Sequence, residues 1–113
     1  MGWTDFETRT ISLRADLSWA ERRCTVLHEC LHAERGAPLD TLADREELRV
    51  RKETARLLLS DVSTIGDALA WSGLRVREAA DELGVDVGTL WDRLDYLHPS
   101  ERHYLTRRLD DLA

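Results

Sequence analysis

Several classes of protein are set aside by what this chain lacks. No apolar run approaches the roughly 20 residues that a membrane span needs, and no basic segment followed by an apolar stretch opens the chain. A cytoplasmic protein that does not engage membranes is the expectation. Cations are in the minority, with 16 Lys and Arg against 22 Asp and Glu and a formal charge of −6. General binding to nucleic acid or anionic lipid needs a basic face, so neither is expected. Only two cysteines occur, Cys24 and Cys30, and both fall on one predicted helix. They would project about 120° apart there and cannot bridge. Both are read as small buried apolar residues in a reducing compartment. A length of 113 residues suits one domain, 1–113, with a modest core.

Against that plain background one stretch stands out, His28-Glu29-Cys30-Leu31-His32. It lies inside a run that reads as helix from about Ser18 to Arg35. Helical positions four apart sit one above the other, so His28 and His32 can offer two imidazole nitrogens to a single metal ion. Glu29 projects about 100° round the helix from His28, within reach of a water on that metal without being a ligand. This is the layout of a zinc peptidase, with two ligands and a general base on one helix and the third ligand elsewhere. Ala20, Cys24, Leu27 and Leu31 form an apolar stripe bordered by the two histidines, which would leave the ligands half-buried.

The flanking residues supply a frame. Thr8 to Arg14 alternates polar and apolar positions with β-branched residues and reads as a strand; Gly2–Thr4, turning through Asp5-Phe6-Glu7, would complete a hairpin. Ser18 and Glu21 form a capping box that starts the metal helix, and Arg35-Gly36 with Pro38 ends it. A loop from Ala37 to Ala43 follows. Asp44 and Glu47 form a second box, starting a helix that runs to about Leu59 with Leu48, Val50, Ala55, Leu58 and Leu59 as apolar positions. A two-histidine site needs a third protein ligand, and Glu46, Glu47 and Glu53 are the candidates. Glu47 shares its face with Val50, Arg51, Thr54 and Leu58, neighbours that point toward a core.

Beyond Asp61 the pattern becomes one of short helices. Asp61–Trp71 carries Val62, Ile65, Ala68 and Leu69 and closes at Ser72-Gly73. Residues 74–97 read as helix, turn at Gly84 and helix from about Asp86, the pattern of a helix-turn-helix. DNA binding is thereby a rival function, but the second helix offers Asp86, Asp92 and Asp95 against Arg93 alone, and such a face repels phosphates. Pro99-Ser100-Glu101 opens a last helix through Leu105 and Leu109 to Leu112. His98, His103, Tyr96 and Tyr104 are the candidates in this tail for stabilising an oxyanion, though residues of these types in a helical tail are more often structural.

The segments from Trp19 to Gly36, containing His28-Glu29-Cys30-Leu31-His32, and from Glu46 to Leu59 resemble the ImmA/IrrE family of zinc metallopeptidase-like proteins, in the short form found in actinobacterial phages and mobile elements. That family carries H-E-x-x-H and then E-x-x-A-N-x-F-A-x-x-L-L-x-P on the next helix. Aligned on the leucine pair, its ligand Glu falls on Glu47, its Ala on Val50, its Asn on Arg51, its leucines on Leu57 and Leu58 and its Pro on Ser60; Asn, Phe and Pro are all replaced in this chain. The resemblance implies a cytoplasmic endopeptidase with Zn²⁺ on His28, His32 and Glu47 and with Glu29 as catalytic base. It further implies that the protein relieves repression by cleaving or disabling a helix-turn-helix repressor, and that the helical tail packs on the peptidase core.

The fold expected is α+β and mainly helical, a short N-terminal hairpin or strand on a zincin-type metal helix. A second ligand helix completes residues 1–60, and a group of short helices fills 61–113. The function expected is zinc-dependent endopeptidase action on a repressor-like protein. The alternative is a non-catalytic module with structural zinc that sequesters a repressor by contact.

Overall fold

A computed structural model of the chain describes residues 2–7, 10–37 and 42–112, with the side chain of Thr10 left aside. Strands β1 (Gly2–Asp5) and β2 (Thr10–Leu13) pair antiparallel, with Gly2 opposite Leu13 and Thr4 opposite Ile11. The expected strand residues Thr8 and Arg9, and the helix stop at Pro38, lie outside the described residues. Six helices follow: α1 (Trp19–Arg35), α2 (Ala43–Leu58), α3 (Val62–Trp71), α4 (Val76–Leu83), α5 (Val87–Asp95) and α6 (Pro99–Leu109), with a closing 3₁₀ turn at Asp110–Leu112. The architecture is thus mainly helical with an N-terminal hairpin. Among the described residues, no helix is long and apolar enough to cross a membrane.

Local chemistry sets most of the boundaries. Ser18 accepts from the Glu21 amide and the Glu21 carboxylate accepts from the Ser18 amide, so the box at the start of α1 is complete. Gly36 closes that helix at a positive φ of 80°, its amide donating to the His32 carbonyl. The second box is not formed. Helix α2 begins at Ala43, with Leu42 as its cap and no side-chain cap bond. Asp44 falls inside the first turn, and the Glu47 side chain is drawn to α1 instead of back to the Asp44 amide. The α4–α5 pair forms as expected, with Gly84 in the left-handed region (φ 71°) and Asp86 capping α5 through the Thr89 amide.

One core joins the halves of the chain. Cys24 of α1 and Leu59, which caps α2, pack with Ile65 and Leu69 of α3, Ala79 of α4, and Leu90 of α5, while Leu105 of α6 closes the far side. Two polar fasteners reinforce the junction. Arg23 of α1 donates to the Gly84 carbonyl at 2.8 Å, fixing α1 over the α4–α5 turn. Arg93, 2% exposed, donates to the Leu59 carbonyl at 2.8 Å and to Glu101 at 2.5 and 3.0 Å. The Arg93 expected on a solvent face is therefore buried, because the only way to bury a guanidinium is to satisfy it on several acceptors at once. Cys24 is buried as expected, but Cys30 is exposed. The apolar stripe of α1 covers about a third of its circumference, and residues 120° apart do not both fit beneath it.

Candidate metal centre

Helix α1 places His28 and His32 one turn apart, and their Nε2 atoms approach to 3.1 Å with the rings edge to face. The hairpin and α2 pack on α1 from two sides, and α2 brings Glu47 over the histidine pair. Its Oε1 lies 2.9 Å from His28 Nε2 and its Oε2 lies 2.8 Å from His32 Nε2. Among the described residues these three side chains form the group of His, Cys, Asp and Glu able to hold a metal. Of the three glutamates considered as third ligand, Glu47 is the one placed with the histidines. Glu46 instead ion-pairs with Arg35, and that guanidinium holds its carboxyl below the usual range. Glu53 lies on the exposed side of α2.

The donor set fits zinc. Ligand atoms bound at about 2.0–2.2 Å around a tetrahedral centre sit ~3.3–3.4 Å apart. His28 meets Glu47 Oε1 and His32 meets Glu47 Oε2, so the carboxylate spans the two rings, and one ligand atom from each residue lies within 4.8 Å of the others, a span that must tighten round an ion. The charge is also right. A metal ligand must be a neutral imidazole with its proton on Nδ1, which frees both Nε2 lone pairs, and the Glu47 carboxylate beside them supplies one negative charge toward a divalent cation. The histidine side chains are 20% and 13% exposed and Glu47 is 48% exposed. The site therefore has a covered side and an open one, as a position left for water or substrate requires.

Glu29 is kept out of this triangle. It is 7% exposed, and its Oε2 accepts from Thr4 Oγ1 of β1 at 2.5 Å. The same hydroxyl lies 3.1 Å from the Glu29 carbonyl, so its one proton has two acceptors within reach. Thr4 was not singled out from the sequence, because nothing local ties a strand residue to a helix residue so far along the chain. The hairpin alternation is the one signal that could have raised it, since it turns Thr4 and Gly2 to the same face.

His28, Glu29 and Glu47 line a cleft of about 370 Å³, bordered by Gly2 of β1 and by Asp86 and Asp92 from α5. A Cβ on Gly2 would meet Thr25 Cγ2 at 2.7 Å and the Ser12 carbonyl at 2.8 Å, so β1 crosses α1 there because it carries no side chain. Arg51 stands one turn beyond Glu47 and bonds to Asp92 at 2.5 and 3.2 Å across the cleft. That pairing, with Glu47 adding to it, raises the Arg51 pKa. Cys24 also reaches the lining, but burial pushes its thiol up, away from the thiolate a ligand or nucleophile needs. Tyr96, His98, His103 and Tyr104 do not line this cleft. The oxyanion role considered for them finds no support in their placement.

Compared with protein-family models, curated proteins and solved structures, the chain gives no match.

Proposed function

We propose that the chain is a zinc-dependent endopeptidase that acts on a regulatory, repressor-like protein in the cytoplasm, with zinc on His28, His32 and Glu47 and Glu29 as general base. The observation that carries this reading is the meeting of three ligand-type atoms from two helices beside a buried carboxylate on the same cleft. Zinc bound there would supply Lewis acidity, activating water and polarising a carbonyl. The remaining work belongs to the chain. Glu29 accepts a proton from the attacking water as the oxygen adds to the scissile carbonyl carbon. It then delivers that proton to the amine as the C–N bond breaks. Thr4 fixes the carboxylate in one rotamer throughout. The zincin-type character of the fold and the repressor as target rest on the H-E-x-x-H spacing and on the resemblance to the ImmA/IrrE family, and the single-domain organisation rests on the length of 113 residues.

Replacing Glu29 by Gln keeps the size and hydrogen-bonding of the side chain but removes its basicity. The Glu29→Gln protein should bind zinc and melt as wild type does, yet leave a co-incubated repressor intact by mass spectrometry. Cleavage at the wild-type rate would sink the assignment.

A second reading is favoured by the tryptophans. Trp3, Trp19, Trp71 and Trp91 are 59, 71, 68 and 48% exposed, and exposed indoles are the residues most enriched where proteins bind one another. In this reading the chain sequesters a repressor by contact and the metal is structural. Repressor inactivation by Glu29→Gln in a reporter assay would then match wild type. DNA binding is the weaker rival, since the cation of α5, Arg93, is buried while Asp95 faces solvent.

A further inference from the structure

The cleft at the His–Glu cluster does not end at the Arg51–Asp92 pair. Asp92 also borders a second hollow of about 390 Å³, whose walls include Lys52, Arg56, Arg93, Asp95 and Tyr96. Helices α2 and α5 both lead from the first hollow to the second. Glu47 and Arg51 line the first, Lys52 and Arg56 the second; Asp86 and Thr89 line the first, Asp95 the second.

The two hollows have opposite electrostatic character. Four carboxylates and one guanidinium line the first. Three cations line the second against Asp92, already engaged by Arg51, and Asp95 at the exposed rim. In a chain of net charge −6 this is a local reversal. Arg93 is neutralised by Glu101. Lys52 is held differently, its Nζ 4.0 Å from the Tyr96 ring centroid. An aromatic face orients an ammonium without cancelling its charge, so Lys52 is fixed and still able to take an anion. Arg56 donates to the Tyr96 carbonyl at 2.9 Å and has only a long 3.4 Å contact to Glu101, which is shared with Arg93.

We infer that this second hollow is a recognition subsite for a carboxylate side chain of a bound peptide, held by Lys52 and Arg56 against the Tyr96 ring. The inference rests on the peptidase reading only in taking the ligand to be a peptide. Along α2 the subsite lies ~13 Å from Glu47 at 1.5 Å per residue, and Arg56 is turned about 180° round the helix axis from Glu47, so the subsite is on another face of the helix than the His–Glu cluster.

The test uses zinc-loaded full-length Glu29→Gln protein, which holds peptides without turning them over. The probes are fluorescein-labelled decapeptide pools of mixed sequence with one position fixed as Glu or as Gln, followed by fluorescence anisotropy. The Glu pool should bind about fivefold more tightly than the Gln pool, the scale of a half-exposed ion pair, and added salt should narrow the gap. Lys52→Met should remove the difference and Lys52→Arg should retain it. Equal affinity for the two pools, binding of neither, or a preference that survives Lys52→Met would overturn the subsite. Cleavage of the same pools by wild type is read alongside. A Glu preference without cleavage keeps the subsite and removes the peptidase reading, whereas cleavage with no Glu preference does the reverse.

Discussion

Acid should loosen the attachment of α6 to α5 and the end of α2 before it disrupts the rest of the fold, because the Glu101 carboxylate ties Arg93 and Arg56 together there. Glu101 accepts from Arg93 through both oxygens, and that guanidinium, helped by the His98 amide and by Arg56, lowers its pKa from 4.5 to about 2. A depression of that size corresponds to roughly 3 kcal/mol of linked stability. Solvent reaches the side chain, which is 16% exposed, and screening brings the contribution to about 2 kcal/mol. Since the folded pKa lies below the unfolded one, the contribution is complete above pH 4.5 and disappears as pH falls toward 2. Glu101→Gln isolates the effect, because glutamine has the shape of the protonated acid. Urea unfolding of both proteins, with EDTA present so that no metal contributes, should separate them by about 2–3 kcal/mol near neutral pH. The separation should close to within ~0.5 kcal/mol near pH 2. A difference that stays constant across this range would refute the assignment of the stability to the Arg93–Glu101 charge pair.

Other substitutions probe the parts that shape the cleft. Thr4→Val keeps the size of the side chain but strips Glu29 of its donor; it should cost about 1–2 kcal/mol in urea unfolding and slow cleavage with zinc content unchanged. Gly2→Ala forces a methyl against Thr25 and the Ser12 carbonyl and should destabilise by about 1–3 kcal/mol, read as a lower melting temperature.

The parts of the chain governed by neighbours in sequence were legible in it. The Ser18–Glu21 box, the helix carrying His28 and His32, the turn at Gly84 and the cap at Asp86 all form where local spacing puts them. Departures occur where a distant partner competes with a local one. Glu47 forgoes the capping role beside Asp44 for two imidazoles on α1, and Arg93 leaves the surface for the Leu59 carbonyl and Glu101. Within the candidate site, the two histidines and Glu29 follow from helical periodicity alone. Glu47 is already set apart from Glu46 and Glu53 by the helix face it shares with Val50, Thr54 and Leu58. Thr4 needed the hairpin register, which is not encoded within a window of a few residues.

The central claim is that His28, His32 and Glu47 form one metal site. Its most direct test is the zinc content of purified wild-type protein beside His28→Ala and Glu47→Ala, measured by elemental mass spectrometry under matched conditions. Wild type should carry about one zinc per chain, and both variants should lose it. A wild-type protein that carries no zinc and takes none up, or a Glu47→Ala protein that retains it, would contradict the account.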